Sequence, residues 1–508
     1  MFSRSECFIN ICRHKQTQLA NNYYLFLFKT RKLERDIFMK NCYTIILLFL
    51  TTLSFGQNYG HIWQFGNRAG IDFKNCDPQP ILTGENTGFE GVSSISDDQG
   101  QLQFYTNSDT VWNKLNLAMP NGYLISTSGT LSQVLIIPKP QSNSQYYIVT
   151  TKIQASGSLT LQYHVVDMSL NSGLGDVISK NNTLTNYNVT EQIAATHHSN
   201  GSDIWLIAHE YGLNNFLAFL VTSSGISLTP VLSAVGPAHI PCTSNINARG
   251  EIKVSPNGNK IAFNANGVGG NNPSNILAIF DFDKLSGVIS NPINLPFSRG
   301  EFGISFSPDN SKLYGSTWKA FSFSSGDYNY IYQFDLSSND SNLIVNSKVI
   351  LDSIPISLAS FGSVKIGPDG KIYIARYNSD YLAVINSPNV YGSGCDYVYN
   401  GFNLGGRTCQ YGLNNYIEYT SYCETTEIQS VENSTVGIYP NPTSDELHIP
   451  QSSNSEHFHE LQIMDVCGKV VYEKMYTEVI HVNSLERGTY ILRLKSANKI
   501  RFAKFLKY

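Results

Sequence analysis

Charge is scarce in this 508-residue sequence, with only 15% of positions Asp, Glu, Lys or Arg. An uninterrupted apolar run of the ~20 residues that cross a bilayer is also missing, which excludes a membrane-spanning helix. Local catalytic signatures are absent as well. There is no Gly-x-Ser-x-Gly elbow, and His209-Glu210-Tyr211-Gly212-Leu213 lacks the second histidine of a zinc-protease helix and lies in a strand pattern. The glycines from Gly267 to Gly270 are followed by neither a helix pattern nor a lysine, so a phosphate cradle is not expected. Cys395, Cys409 and Cys423 do not have the spacing of a zinc ribbon. No metal and no cofactor is expected, and a binding role is favoured over an enzymatic one.

What is abundant points to strands and turns. Hydrophobic residues make up 42% of the chain, enough to exclude disorder, and 39 Gly, 30 Tyr and 27 Phe favour β structure over helix or coiled coil. The length suits two or three domains. From about 60 to 423 one phrase recurs: an alternating strand, a polar turn with Pro or Gly, and a second strand. Its clearest copies run from Ile252 to Phe263, Ile304 to Tyr314 and Val364 to Ile374, with turn prolines Pro256, Pro308 and Pro368. Proline presets φ, Asn or Asp bonds its own backbone, and Gly or Asn closes the turn. Weaker copies occupy 96–105, 140–149 and 198–207. Most copies precede a further aromatic or apolar strand. A unit of about 45–60 residues with about four strands is the signature of a propeller blade. Six phrases and a closing unit imply seven blades across 57–423, the closure expected between Asn415–Tyr419 and His61–Phe65. A tandem of β-sandwiches is the competing architecture, but it does not require one turn at one place in every unit.

The amino terminus has the marks of an export signal. Lys40 precedes the 13-residue apolar stretch from Tyr43 to Phe55, and Ser54-Phe55-Gly56 offers small residues for cleavage. A signal peptide over 39–56 is therefore expected, with Met39 a better start than Met1 and 1–38 a non-translated or disordered extension. Residues 1–40 carry a net +5 and 41–56 no charge, so the overall −4 conceals a mature chain of −9. Such a chain attracts neither nucleic acid nor an anionic membrane. In an oxidising compartment Cys395, Cys409 and Cys423 could form a local disulfide or stay as buried thiols.

Several repeat motifs have family counterparts. The stretch from Trp63 to Phe73, with Ile95-Ser-Asp97, Phe104-Tyr-Thr106 and Ile136-Ile-Pro-Lys-Pro140, resembles the opening of exported WD40-like propellers of Bacteroidetes. Beyond a polar linker at 424–434, the order Tyr439-Pro440-Asn441-Pro442, Leu447-His-Ile449, Asp465-Val-Cys-Gly468-Lys469, Leu485-Glu-Arg-Gly488-Thr-Tyr490 and Lys504 resembles the type A sorting domain of the type IX secretion system. That resemblance covers 435–508. It implies a small Ig-like β-sandwich, handling by the type IX machinery after passage through the periplasm, and a protein secreted or held at the cell surface.

The activity is less legible. His198, His209 and His239 are candidates for a site in the propeller channel, although Trp205, Ile207 and His209 share one strand face, which also fits a packed core histidine. The leading expectation is a binding scaffold with tyrosine- and asparagine-rich loops for a surface glycan or protein. The alternative is a hydrolase or lactonase-like propeller enzyme with its site at the channel mouth, favoured if acids and histidines converge at one end of the channel with a bound cation, whereas a channel lined by small apolar residues favours the scaffold. Asp109-Thr110-Val111 and Asp352-Ser353-Ile354 match a short O-glycosylation sequon.

Overall fold

The computed structural model describes residues 58–123, 133–153, 158–239, 248–265, 276–296, 300–318, 328–358, 360–418, 437–449, 458–465, 469–496 and 500–508. The expected signal peptide, the linker and Gly468 lie outside the described residues. The chain divides into two units, 1–423 and 424–508. No helix among the described residues is long and apolar enough to cross a membrane.

The first unit is a β-propeller of seven antiparallel sheets. Blade 1 spans 62–81, blade 2 93–123, blade 3 134–183, blade 4 189–234, blade 5 252–294, blade 6 301–355 and blade 7 361–403. Blade 1 has three strands, blade 4 five and the rest four. From blade 1 through to blade 7, the first strand of one blade touches the first strand of the blade after it, which makes these strands the inner ring. The turn phrases join the first and second strands, as their chemistry requires. Gly258, Asn310 and Gly370 adopt φ of 76°, 66° and 74°, and each donates its N–H three residues back, to Ser255, Ser307 and Gly367. Because neighbouring strands run antiparallel, these turns occupy one face of the ring. The opposite face carries the loops between blades and between second and third strands.

Apolar side chains on both sheet faces pack blade against blade. Leu135, Val149 and Leu161 of blade 3 meet Ile193, Leu206 and Leu217 of blade 4. Trp205, Ile207 and Phe216 of blade 4 meet Ile261, Phe263 and Phe280 of blade 5. The same pattern closes the ring, where Trp63, Phe65 and Ile71 of blade 1 pack on Tyr373, Leu382 and Val384 of blade 7.

Closure differs from the expected pairing of two end strands. Residues 412–418 form no strand; they thread the centre of the ring. Asn415 donates from Nδ2 to the carbonyls of Val134 (3.3 Å) in blade 3 and Ile193 (3.4 Å) in blade 4. Its carbonyl accepts from Ser93 Oγ of blade 2 at 2.6 Å, and the next carbonyl, of Tyr416, accepts from Lys365 Nζ of blade 7 at 3.1 Å. Inner strands leave a row of backbone donors and acceptors facing the axis, and burying them without partners is costly. The threaded segment supplies those partners. Gly412 permits its close seat, since a Cβ there would stand 1.8 Å from the Glu90 carbonyl oxygen.

Cys395 and Cys409 are buried free thiols, which removes them from the local disulfide considered above, while Cys76 is disulfide-bonded. Burial pushes the Cys409 thiol up to about 12, so it is inert at neutral pH.

The second unit is a small Ig-like β-sandwich. Strands Val470–Met475, Phe458–Asp465, Gly488–Ser496 and Ile500–Lys507 form one sheet in that order, and Glu446–His448 pairs Val479–His481 in the other. Leu447 and Ile480 from the small sheet join Leu461, Ile463, Leu492 and Phe505 from the large one in a single core.

Lys365 and Glu418 form a buried ion pair at 2.9 Å, their side chains 2% and 6% exposed, between blade 7 and the threaded segment. Glu418→Ala leaves the ammonium buried without its counter-charge and is expected to cost about 3 kcal/mol in chemical denaturation, most of which Lys365→Met with Glu418→Met recovers.

Candidate functional site

Above the threaded segment, on the loop face, aromatic side chains gather apart from the interblade cores. Phe302 stands near the start of the inner strand of blade 6, Trp318 directly follows that blade's second strand, and Phe89 lies in the loop entering blade 2. All three surround Tyr411, with ring centroids at 5.1 Å for Phe89, 5.4 Å for Trp318 and 6.0 Å for Phe302. Tyr377 stacks on Tyr411 at 4.6 Å with planes 10° apart and is itself 43% exposed, so its other face is open. Arg249 places its guanidinium 5.8 Å from the Trp318 ring centre.

Carboxylates converge on the same mouth. Glu191 lies near the start of the inner strand Val189–His197 and is 8% exposed. Glu251 precedes Ile252–Val254, and Glu90 precedes Ser93–Ser96. Glu251 is well provided for: Lys253 Nζ lies 3.3 Å away, Ser363 Oγ donates at 2.5 Å and the Ile304 N–H at 2.9 Å. Glu90 and Glu191 are not. Oε1 of Glu90 is sealed from solvent without a hydrogen bond among the described residues, and no hydrogen bond among them reaches Glu191. Burial pushes the Glu90 carboxyl up to about 7, opposed by Arg249 and reinforced by Glu251. Burial first, and then repulsion from Glu90, holds Glu191 well above the carboxylate range, against the pull of Arg249. Deeper in the ring, burial draws Lys365 down to about 8 although Glu418 works in the other direction. The mouth thus presents two carboxyl groups that burial pushes upward, Glu90 to about 7, beside the Arg249 guanidinium and a half-exposed aromatic ring.

The three candidate histidines do not form one channel site. His209 and His239 come together with ring centroids 5.7 Å apart, 1% and 0% exposed. They sit between blades 4 and 5, where His209 stacks on Phe263 at 4.5 Å and meets Phe216 at 4.7 Å. Burial draws His209 down to about 3, with His239 adding to the shift, so His209 is a neutral core residue at physiological pH. His198 lies at the far end of the hairpin, because His197 pairs Ile204 there whereas Val189 pairs Glu210 beside His209. Its Nε2 contacts the Leu285 carbonyl at 3.1 Å on the turn face. Alternation along one strand could not reveal that the second strand of a blade is remote from the axis. Among the described residues no three His, Cys, Asp or Glu side chains gather to hold a metal.

The glutamates at the mouth were missed in the sequence, yet a signal existed. Glu191 lies within an inner strand, Glu301 opens one and Glu251 directly precedes one, buried positions where ionised side chains are unexpected unless paired. Of the two sequons, Thr110 is only 8% exposed and bonds Asp109, which obstructs a sugar, whereas Ser353 is exposed. A depression of about 770 Å³ lined by Thr183 to Asn188, Glu210 and Leu228 carries none of the buried unpaired groups that distinguish the mouth.

In the second unit the motif residues surround the final strand. Tyr439 stacks on His448 at 5.4 Å, and both Tyr439-Pro440 and Asn441-Pro442 are cis. Asn441 accepts from the Leu506 N–H at 3.0 Å and donates to the Lys504 carbonyl at 2.8 Å. Asp465 accepts from the Lys469 N–H at 3.0 Å, closing the hairpin, and Tyr490 donates from its hydroxyl to the Glu486 carbonyl at 2.9 Å. Gly488 opens the strand paired to the last one, and Leu485 packs beneath the sandwich core.

Residues 437–507 match the family model described as the secretion system C-terminal sorting domain. No curated protein matches the chain in sequence. Among solved structures, the chain is similar to a putative 6-phosphogluconolactonase from Bacteroides fragilis at 11% identity and a TM-score of 0.38, over 68% of this chain and 96% of that one. The β-propeller domain of Cps50 (Swd1) from Myceliophteria thermophila is similar at 9% identity and a TM-score of 0.34, over 62% and 93%. Hydrazine synthase from Kuenenia stuttgartiensis is similar at 10% identity and a TM-score of 0.32, over 65% and 76%.

A carboxyl whose folded pKa is raised contributes stability that is fully present below its unfolded pKa and lost as pH rises through the folded value. For Glu90 the window runs from the ordinary carboxylate range to about 7. Glu90→Gln is therefore expected to raise the melting temperature at about pH 8 by roughly 1–3 °C and to leave it unchanged at about pH 4, in calorimetry at the two pH values.

Proposed function

We propose that this chain is a propeller exported by the type IX secretion system and that it works outside the cell, secreted or held at the surface, as a binding module. Export rests on the carboxy-terminal sorting unit: the family match over 437–507 agrees with the ordered motif from Tyr439 to Lys504. The ligand site is the mouth on the loop face. One observation carries this reading: an open-faced aromatic, Tyr377, backed by Tyr411 and bordered by carboxyl groups with no hydrogen-bond partner among the described residues, at the top of a channel that the chain itself fills. Aromatic floors with a few convergent polar groups suit small ligands and chain ends better than broad protein surfaces.

A second reading keeps the same place and makes it an enzyme. The observation in its favour is the pair Glu90 and Glu191, whose environments raise both carboxyl groups to different extents, the pattern that separates a general acid from a base. Binding without turnover of the bound ligand separates the first reading from the second.

Removing 437–508 is expected to retain the protein in the periplasm, as read by surface proteolysis and fractionation; surface display of the truncated chain would overturn the export assignment. Tyr377→Ala is expected to weaken ligand binding about tenfold and to lower the melting temperature by only a few degrees, since the half-exposed ring gives up its stack on Tyr411 as well as its contact area with the ligand.

A further inference from the structure

The mouth has a chemistry narrow enough to define its ligand. Four loops, one strand and the residue entering the threaded segment contribute to it: Phe89 and Glu90 from the entry to blade 2, Glu191 from the inner strand of blade 4, Arg249 and Glu251 from the entry to blade 5, Trp318 from blade 6, Tyr377 from blade 7, and Tyr411 just before the threaded segment. Glu251 is fully occupied by Lys253, Ser363 and the Ile304 N–H, so it offers nothing to a ligand. Glu191 is different. It is 8% exposed, and no hydrogen bond among the described residues reaches its carboxyl group. Buried polar groups in native proteins find partners, and a carboxyl left without one inside the protein is a position prepared for a partner from outside. The partner must supply both donors and acceptors to face a carboxyl and a guanidinium together, and an apolar face to lie on Tyr377.

We propose that the mouth binds a neutral saccharide, its hydroxyl groups held by the carboxyl groups of Glu191 and Glu90 and by Arg249, and its C–H face lying on Tyr377. This deepens the binding reading above and rests on it. An anionic sugar would have to draw on Arg249, whose guanidinium already interacts with Glu90 and Glu191, and Lys253 is held by Glu251. A cationic sugar would require Glu191 ionised, and the burial of that residue together with its proximity to Glu90 opposes ionisation.

The test uses the full mature chain and three matched probes: chito-oligosaccharides, their deacetylated cationic counterparts, and oligogalacturonate, with neutral cello-, xylo- and manno-oligosaccharides extending the neutral class. Isothermal titration is expected to show at least one neutral series bound roughly tenfold or more tighter than either charged series. Glu191→Gln, which keeps the shape and hydrogen bonds of a neutral acid, is expected to bind within about threefold of the parent, whereas Glu191→Ala loses about tenfold. Glu90→Gln serves as the second neutral variant should Glu191→Gln not fold. Preference for the cationic or the acidic series, failure of every neutral series, or loss of binding in the glutamine variant overturns the inference. Tyr377→Ala separates this from the broader reading. If a charged ligand binds and Tyr377→Ala weakens it, the mouth stands as the binding site and only the saccharide assignment fails; if a ligand binds and Tyr377→Ala leaves it unaffected, both fail.

Discussion

Every blade of a ring presents the unpaired edge of its innermost strand to the axis, and the treatment of that edge governs the rest of this molecule. Donors and acceptors facing a narrow, water-poor centre must be matched. Asn415 meets the demand with a short amide side chain that reaches two carbonyls of different blades, while its own backbone bonds a third. Side chains complete the task where the segment does not reach: Glu251 accepts the Ile304 N–H, and Ser316 Oγ donates to the Gly362 carbonyl while accepting the Gly303 N–H. The ring is thereby joined at its axis as well as between its sheet faces.

Filling the axis has an electrostatic consequence. Lysines on the inner strands, Lys253 and Lys365, are removed from water and need counter-charges, which Glu251 and Glu418 provide. Once those pairs are made, Glu90 and Glu191 remain near the mouth with, among the described residues, Arg249 to offset them, so burial and mutual repulsion act on them without full compensation. The unusual state of the mouth thus follows from the closure beneath it. A water-filled channel would solvate the same glutamates and return them to the ordinary carboxylate range.

How much of this the sequence disclosed depends on how local the cause is. The turn phrases were legible because Ser-Pro-Asn-Gly and its variants act within four residues, and the left-handed Gly258, Asn310 and Gly370 stand where the turn chemistry puts them. Strand alternation fixed the sheet class for the same reason. The sorting motif was legible because its elements keep a set order. The threaded segment was not, since nothing in Gly412-Leu-Asn-Asn-Tyr-Ile-Glu418 distinguishes a strand paired at a blade edge from a strap satisfying several blades at once. The glutamates escaped for a related reason: Glu90, Glu191 and Glu251 are about 160 residues apart at the extremes, and only the ring brings them together. For His209 strand periodicity gave the packed face, beside Phe216 and Phe263, but not the distance from the axis that separates it from a channel site.

The second unit solves the edge problem by other means, and its motif makes sense as that solution. The sheet ends on Ile500–Lys507, a strand with no strand beyond it in the sheet order. Along that edge Asn441 brackets the Lys504 carbonyl and the Leu506 N–H, and the Thr443 N–H and carbonyl bond Leu506 and Tyr508. The Tyr439-Pro-Asn-Pro442 turn therefore caps the last strand rather than extending the sheet, and proline serves there because it contributes no further donor to a ladder. Lys504 stays exposed beside this cap. The first and last motif elements are thus parts of one edge, which explains physically why they occur together: loss of the asparagine would open the strand that carries the terminal basic residues, and loss of the terminal strand would leave the asparagine without partners.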